Sequence, residues 1–352
     1  MSALPTARPT ERAPFPYFGG KAPASKLVWD RFGAVRNYVE PFFGSGAVLL
    51  NRPGEPDGVE TVNDACGFVA NFWRAVQADP ESVAKWANNP VVENDLHARH
   101  AWLVARADDL TARLEGDPDY HDPKIAGWWA WGACCWIGSG WCSGKGPWAV
   151  QDGKLVKGDS GRGVKRALPH LSGSGQGVNR NRNRVVRGRP HLSGSGQGVN
   201  RPAVDRLEFI QDWMGRLSAR LRASQFRVCC GDWTRVMGPV VLTAQKPCAV
   251  FLDPPYSADA NRYMTLYRKE SGDVARAVQE WAIAHGDDPR LRIALCGFAG
   301  EHAMPADWES VSWIYRGGYG YQNRGGYANA NRERIWFSPH CLRPTESARM
   351  FH

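Results

Sequence analysis

The sequence predicts an α/β fold in which a mainly parallel sheet is built from both ends of the chain. Short apolar segments with the length of strands occur near each end, and segments with helical periodicity lie between several of them. Alternation of strands and helices favours a parallel sheet. A helix-rich region and a basic region separate the two ends. We therefore expect one α/β domain, residues 1–80 and 225–352, with residues 81–224 inserted into it.

Seven segments have the apolar composition of strands, at residues 38–40, 59–62, 226–230, 249–252, 292–296, 310–315 and 334–338. Helices are predicted between several of them, at residues 68–77, 204–221 and 273–285. The inserted region begins with apolar residues at helical spacing over residues 81–114, and six of the sixteen tryptophans follow within residues 128–148. These tryptophans predict a helix that packs aromatic side chains into a core, with support of a functional loop at residues 138–146 as the alternative.

The positive charge of the chain is concentrated in residues 151–202. This segment holds eleven lysines and arginines and two aspartates, an excess equal to the formal net charge of +9 of the whole chain. It contains a repeat, since residues 169–180 recur unchanged as 190–201, and its many Gly and Ser residues predict a loop or short hairpin. We expect it to bind a polyanion such as a nucleic acid, with a flexible linker as the alternative. The candidate phosphate contacts are Arg180, Arg182, Arg184, Arg187 and Arg189.

The bulk composition excludes several classes of protein. Hydrophobic residues make up 43% of the chain, as in a globular protein, and the longest apolar stretches are too short to cross a bilayer. Residues 1–16 contain no apolar run of the kind found in signal peptides, so we expect a cytoplasmic protein. The nine cysteines include two adjacent pairs and no CxxC spacing, which favours reduced thiols and no metal site.

A glycine-containing turn follows the first predicted strand. Gly44 and Gly46 lie between this strand and an apolar helix start, where they allow a ligand to approach backbone N–H groups. Asp64 comes at the end of the next strand, 20 residues after Gly44. A carboxylate at about that spacing commonly binds ribose hydroxyls. The pair predicts a nucleotide-like cofactor site, with an ordinary turn and a helix cap as the alternative.

A second candidate site is the tetrapeptide Asp253-Pro254-Pro255-Tyr256, which follows the apolar strand at residues 249–252. Sites in α/β sheets lie at the carboxyl ends of strands. The two prolines fix the backbone and leave carbonyls without competing N–H donors. Asp253 and the Pro254 carbonyl can together accept both hydrogens of an amino group on a planar ring, and Tyr256 can stack on that ring. A proline-rich turn without function is the alternative.

These motifs and their order resemble the Dam-like (class alpha) adenine-specific DNA methyltransferases of bacteria and phages. The segment at residues 15–21, Phe-Pro-Tyr-Phe-Gly-Gly-Lys, is similar to the N-terminal aromatic-GGK motif of that family, and residues 40–46 are similar to its EPFxGxG loop. The catalytic tetrapeptide is complete at residues 253–256. Residues 230–233 resemble a segment that contacts the cofactor adenine, and residues 331–336 resemble a terminal strand motif.

The resemblance implies a Rossmann-like S-adenosylmethionine-dependent methyltransferase domain with an inserted helical target-recognition domain. It implies catalysis by Asp253, Pro254, Pro255 and Tyr256. The residues expected to bind S-adenosyl-L-methionine are Tyr17, Gly20, Lys21, Glu40, Phe43, Gly44, Gly46, Asp64, Asp232 and Trp233. The expected substrate is double-stranded DNA, and the expected chemistry is direct in-line transfer of a methyl group to N6 of a flipped-out adenine.

Other activities stay open at this point. N4-cytosine DNA methylation uses a closely related tetrapeptide that typically begins with Ser, and a DNA-binding protein could keep the fold without activity. Cytosine C5 methylation needs a nucleophilic cysteine, and Cys248, which follows Pro247, is better explained as the beginning of a strand. The recognition sequence is not readable. The resemblance is compatible with a cognate restriction enzyme in a restriction-modification system, with a monomer or weak dimer, and with the cytoplasm of a bacterial or phage-infected cell.

Overall fold

The computed structural model describes residues 12–17, 20–54, 57–136, 141–142, 148–151, 154–157, 206–255, 272–313 and 333–343. Over this part of the chain the strands are β1 (Asn37–Glu40), β2 (Val59–Asp64), β3 (Trp148–Gln151), β4 (Lys154–Lys157), β5 (Gln225–Cys230), β6 (Cys248–Leu252), β7 (Leu291–Phe298), β8 (Glu309–Ser312) and β9 (Glu333–Phe337). The first helices are α1 (Ser25–Phe32), α2 (Ala47–Leu50), α3 (Gly67–Ala78), α4 (Pro80–Ala87) and α5 (Glu93–Val104). They are followed by α6 (Ala107–Gly116), α7 (Pro123–Cys135), α8 (Arg206–Arg222), α9 (Pro239–Leu242) and α10 (Gly272–His285).

Seven strands form one sheet in the order β5-β2-β1-β6-β7-β9-β8. The five strands from β5 to β7 are parallel to one another, whereas β9 is antiparallel to both of its neighbours. The chain builds outward from β1 to β2 and β5, then returns to place β6 on the other side of β1. The order of strands therefore reverses between β1 and β6, and ligands of such sheets bind at the carboxyl ends of the strands at this point.

Strands β6 and β7 are buried on both faces, which explains their nearly continuous apolar sequences. All five residues of β6 are buried, and they alternate between two hydrophobic cores. Ala249 and Phe251 face the core that contains α3, α7 and α8, while Val250 and Leu252 face the core that contains α10. The α/β fold class and all seven sheet strands predicted from the sequence are confirmed, with shifts of up to three residues at their ends.

The helices of the inserted region share a core with the sheet. Buried side chains of α4, α5, α6, α7 and α8 belong to the same hydrophobic cluster as those of α3 and β5. The tryptophan-rich segment forms α7, in which Trp129 and Trp131 are buried, as the sequence predicts. Pro123 follows the capping residue Asp122, whose side chain accepts the N–H of Ile125 and so fixes the start of this helix. The domain boundaries inferred from the sequence stay a prediction.

A buried cluster of charges ties β2 to the helices around it. Glu60 is fully buried and accepts hydrogen bonds from Arg52 at 2.7 Å and from Arg220 of α8 at 2.9 and 3.0 Å. Ser224 donates a further hydrogen bond at 2.7 Å. Because each guanidinium compensates the buried carboxylate, these bonds hold the pKa of Glu60 below its usual range even though burial acts to raise it.

The basic segment at residues 151–202 is described by the structure only at its beginning. β3 and β4 form an antiparallel pair at the beginning of the basic segment, and the loop or short hairpin expected over the rest of the segment stays a prediction. The repeat and the five candidate phosphate-binding arginines lie outside the described residues. Within the described residues, none of the helices has the length and apolar character needed to span a bilayer.

Candidate active site

Three carboxylic acids lie where the strand order reverses. Glu40 is the last residue of β1, Asp64 is the last residue of β2, and Asp253 directly follows β6. Because β2 and β6 are the parallel neighbours of β1, the carboxyl ends of the three strands meet at one edge of the sheet. The structure thus brings together the glycine-turn site and the tetrapeptide site that the sequence predicts separately.

The turn after β1 is held in a conformation that requires glycine. Gly44 has a φ of +49°, and a Cβ at this position would lie 2.5 Å from Cε1 of Tyr17, so the tyrosine ring packs directly on the turn. Gly46 has a φ of +61° and precedes α2. Trp73, fully buried in α3, donates a hydrogen bond from Nε1 to the Gly44 carbonyl at 2.9 Å. The ring of Phe43 is buried beneath the turn, where it contacts Trp73.

Asp64 is linked to the same turn. Its Oδ2 accepts the backbone N–H of Gly44 at 2.9 Å, and its Oδ1 accepts the N–H of Cys66 at 2.8 Å. Burial raises the pKa of Asp64 to about 6, although the two N–H donors act in the opposite direction. Each carboxylate oxygen keeps a second lone pair, which can accept a ligand hydroxyl.

Glu40 lies deeper than Asp64. Its side chain is buried, and its Oε2 accepts a hydrogen bond of 2.8 Å from the hydroxyl of Tyr38, two residues earlier on the same face of β1. The pKa of Glu40 is raised well above its usual range, chiefly by burial and further by the charges of Asp253 and Asp64. Tyr38 was not predicted as a site residue, although the alternation of side chains along a strand places it beside Glu40.

The best-defined contact at the site is an ion pair between Lys21 and Asp253. Lys21 is only 3% exposed, and its Nζ lies 2.9 Å from Oδ2 of Asp253. A second carboxylate, Oε2 of Glu333, lies 3.9 Å from the same Nζ. The N-terminal motif and the tetrapeptide are therefore parts of one cluster. Glu333 was not predicted as a site residue, although it belongs to the terminal strand motif at residues 331–336.

The tetrapeptide is described only in part. Pro254 is buried and Pro255 half-buried, while Tyr256 lies outside the described residues. Cys248 begins β6, five residues before Asp253, so it lies roughly 16 Å away along the strand. It is fully buried, and burial raises its thiol pKa well above the ordinary value. Cys248 therefore lacks the position and the acidity of a catalytic nucleophile for this site.

The segment after β5 closes the edge of the site beside Asp64. The backbone N–H of Gly231 donates to the carbonyl of Asp64 at 3.2 Å, and Asn63 donates from Nδ2 to the Gly231 carbonyl at 3.1 Å. The side chain of Asp232 is exposed and accepts the N–H of Thr234, in a short 3-10 helix. Trp233 is buried and stacks on Phe42, with their ring centroids 6.2 Å apart.

The N-terminal segment connects the site to the inserted helices. Phe15 is buried against Trp73 of α3 and Trp129 of α7, with ring centroids 6.2 and 4.8 Å apart. Trp213 of α8 donates a hydrogen bond to the Arg12 carbonyl at 3.1 Å. Gly20 lies near Ser45 of the turn. The predicted cofactor residues thus lie along one edge of the sheet or on the segments that pack on it, and their roles at a cofactor stay predictions.

Comparison with known proteins supports this interpretation. Residues 17–108 match the family model of the D12 class N6 adenine-specific DNA methyltransferases. The matched range contains Tyr17, Lys21, the glycine turn and Asp64, and it confirms the resemblance to Dam-like enzymes seen in the motifs. Over these residues the chain is similar to the adenine-specific DNA methyltransferases, and its mainly parallel sheet agrees with the Rossmann-like fold of that family. A search of curated proteins found no match.

Proposed function

We propose that the protein is an adenine-specific DNA methyltransferase, which takes its methyl group from S-adenosylmethionine and delivers it in line to N6 of an adenine that has left the DNA duplex. The observation that carries the proposal is the ion pair of Lys21 with Asp253, beside the turn that binds Asp64. This arrangement places Asp253 and Asp64 at the same edge of the sheet. The carboxylate of Asp253 can accept an N–H of an aromatic amine, and the carboxylate of Asp64 can accept the hydroxyls of a ribose.

The chemistry of the site residues fits S-adenosylmethionine. Asp64 is anchored by two backbone N–H groups and keeps lone pairs for the ribose hydroxyls. The turn at Gly44 has no side chain that would fill the space next to Tyr17. The carboxylates of Asp64 and Asp253 favour a positively charged ligand. When bound, S-adenosylmethionine supplies a methyl group on a positively charged sulfur, which keeps the bonding electron pair as the methyl group leaves.

Asp253 would hold the amine of the target base. Lys21 is its ion-pair partner at Oδ2 within the described residues, so Oδ1 can accept one N–H of the amine, and the Pro254 carbonyl can accept the other. These two bonds would direct the nitrogen lone pair toward the methyl group, and such positioning can supply much of the rate enhancement. The base must leave the stack to reach this edge, at a cost of about a few kcal/mol. Tyr256 would stack on its ring.

The first test separates catalysis from cofactor binding. Asp253→Ala should reduce methylation of DNA to a few per cent of wild type or less, while the Kd for S-adenosylmethionine measured by calorimetry changes less than threefold. Asp64→Asn should instead raise that Kd. Asp307→Asn, on the exposed turn before β8, is the matched control. Substantial methylation by Asp253→Ala would contradict the role of Asp253.

The identity of the product distinguishes the competing functions. Mass spectrometry of nucleosides from treated DNA should find N6-methyladenine. N4-methylcytosine would contradict the adenine assignment at this site. A folded protein that binds DNA without binding S-adenosylmethionine would favour a DNA-binding protein that retains only the fold.

We also propose that the basic segment follows the DNA phosphates independently of sequence. Its support is the charge excess within residues 151–202. Replacing Arg182, Arg184 and Arg187 by Ser should weaken binding to all DNA sequences alike and reduce the dependence of affinity on salt concentration. An unchanged salt dependence would identify the segment as a linker. Sequencing that detects modified bases would identify the recognition site.

A further inference from the structure

We propose that Glu333 is a positioning residue that keeps the Lys21 ammonium compensated while Asp253 accepts the proton released by the methylated amine. The proposal rests on the proposed function and assigns a role to a residue outside the tetrapeptide and the cofactor motifs. It is carried by the geometry of three charged side chains from distant parts of the chain, Lys21, Asp253 and Glu333.

The antiparallel direction of β9 is what brings Glu333 to the site. Glu333 is the first residue of β9 and pairs with Phe298, the last residue of β7. The amino end of β9 therefore lies at the same edge of the sheet as the carboxyl ends of the parallel strands. The Glu333 carbonyl also accepts the backbone N–H of Trp313 at 3.4 Å, and the ring of Trp313 covers Lys21 with its centroid 5.9 Å from Nζ.

Lys21 is a buried cation between two carboxylates of different kinds. Asp253 is 20% exposed and belongs to the tetrapeptide, whereas Glu333 is 19% exposed and belongs to the edge of the sheet. A buried ammonium without a negative partner is strongly unfavourable. If Asp253 were its only partner, each protonation of Asp253 would leave Lys21 uncompensated. The second carboxylate removes that obstacle, because Glu333 takes no part in the proton transfer and remains beside the ammonium.

The charges balance on both sides of the methyl transfer. Before it, two carboxylates and one ammonium give the cluster a net charge of −1, which matches the +1 of the sulfonium. During transfer the N–C bond forms, the C–S bond breaks and the sulfur becomes neutral. The amine nitrogen then gives one proton to Asp253, so the cluster becomes neutral as well, and the proton passes from Asp253 to water. The three side chains and the sulfur together therefore carry no net charge before or after the step.

The test uses the full-length enzyme and Glu333→Gln, which removes the charge and keeps the shape. We expect kcat to fall by about tenfold or more, a loss within the range of assisted proton transfer, while KM for DNA and for S-adenosylmethionine changes less than threefold. Glu333→Asp keeps the charge and should recover part of kcat. Glu309→Gln is the matched control, since Glu309 begins β8 of the same hairpin and pairs with Arg31, away from the site.

The possible results separate the proposals. An unchanged kcat in Glu333→Gln, or a rise in KM that accounts for the whole loss, overturns the positioning role. If Glu333→Gln does not fold, Glu333→Ala decides, because it also removes the charge, and an unaltered kcat at constant KM overturns the role. Absence of methylation by the wild-type enzyme would instead reject the proposed function. In cofactor-free protein, the Lys21 ammonium signal in NMR should exchange with water faster in Glu333→Gln, and equal exchange would count against the contact.

Discussion

Replacing Asp64 by asparagine should change how the stability of the protein depends on pH. Burial raises the pKa of the Asp64 carboxyl to about 6, whereas an unfolded chain returns it to about 4. Below pH 4 the group is protonated in both states, so its contribution to stability is fully present and does not change with pH. As pH rises from 4 to 6, the unfolded state loses the proton first, so the stability contributed by protonated Asp64 is progressively lost, by about 3 kcal/mol in all.

The variant has no titrating group at this position. The amide introduced by Asp64→Asn cannot accept both N–H groups that the carboxylate accepts, so the variant loses a hydrogen bond, but this loss is the same at every pH. The informative quantity is therefore the change in the free energy of unfolding between two pH values, compared between wild type and Asp64→Asn. Between pH 4.5 and pH 7 the free energy of unfolding of wild type should fall relative to that of Asp64→Asn by about 2 kcal/mol. The Asp64 charge also raises the pKa of Glu40, and this coupling adds to the difference in the same direction.

Urea unfolding of the cofactor-free protein at a series of pH values measures this difference directly. Calorimetry on wild type provides an independent measurement, because a ribose-binding Asp64 must be ionised and the Kd for S-adenosylmethionine should rise about tenfold at pH 5 relative to the plateau above pH 7. Parallel stability curves for wild type and Asp64→Asn would refute the argument that the Asp64 carboxyl is buried at a cost in the native state.

Three further substitutions test the parts of the structure that hold the site. Gly44→Ala combines a positive φ with a contact against the Tyr17 ring, so it should raise the Kd for S-adenosylmethionine at least tenfold in calorimetry, and an unchanged Kd would contradict this geometry. Trp73→Phe leaves the buried Gly44 carbonyl without its donor and should lower the free energy of unfolding by about 2 kcal/mol in urea titrations, whereas a loss below about 0.5 kcal/mol would mean that the bond is weak. Glu60→Gln removes the compensation of two buried guanidinium groups and should cost about 3 to 5 kcal/mol in the same assay, with little change in cofactor affinity of the folded protein; a cost below about 1 kcal/mol would contradict it.

The fold could be predicted because the sequence patterns that indicate its strands and turns each lie within a short segment of the chain. Strands β6 and β7 are short runs of mostly apolar residues, and β6 with its following Asp253 is the clearest example. The glycine turn could also be predicted, because Gly44 needs a φ that other residues rarely adopt. Helix boundaries at α3 and α10 differ from their predictions by one residue at most.

The contacts within the site could not be predicted from local patterns. The ion pair of Lys21 with Asp253 depends on the order of the strands, which no segment encodes by itself. Glu333 was overlooked because its position requires an antiparallel β9 next to β7. Lys21 was expected at the cofactor through the family resemblance, and the structure adds its contact with the tetrapeptide. The hydrogen bond between Tyr38 and Glu40 could have been found from side-chain alternation along β1.

The position of Lys21 in the chain has a consequence for synthesis in the cell. Asp253 and Glu333, the carboxylates that contact it within the described residues, are encoded about 230 and 310 residues later, so the lysine leaves the ribosome long before either carboxylate exists. At typical translation rates the interval to Glu333 is roughly 15 to 60 s. A chain that stops before β9 contains the matched family range and the tetrapeptide but lacks the last member of the cluster. Premature termination should therefore release fragments with an incomplete active site, and unfinished chains would be kept from modifying DNA.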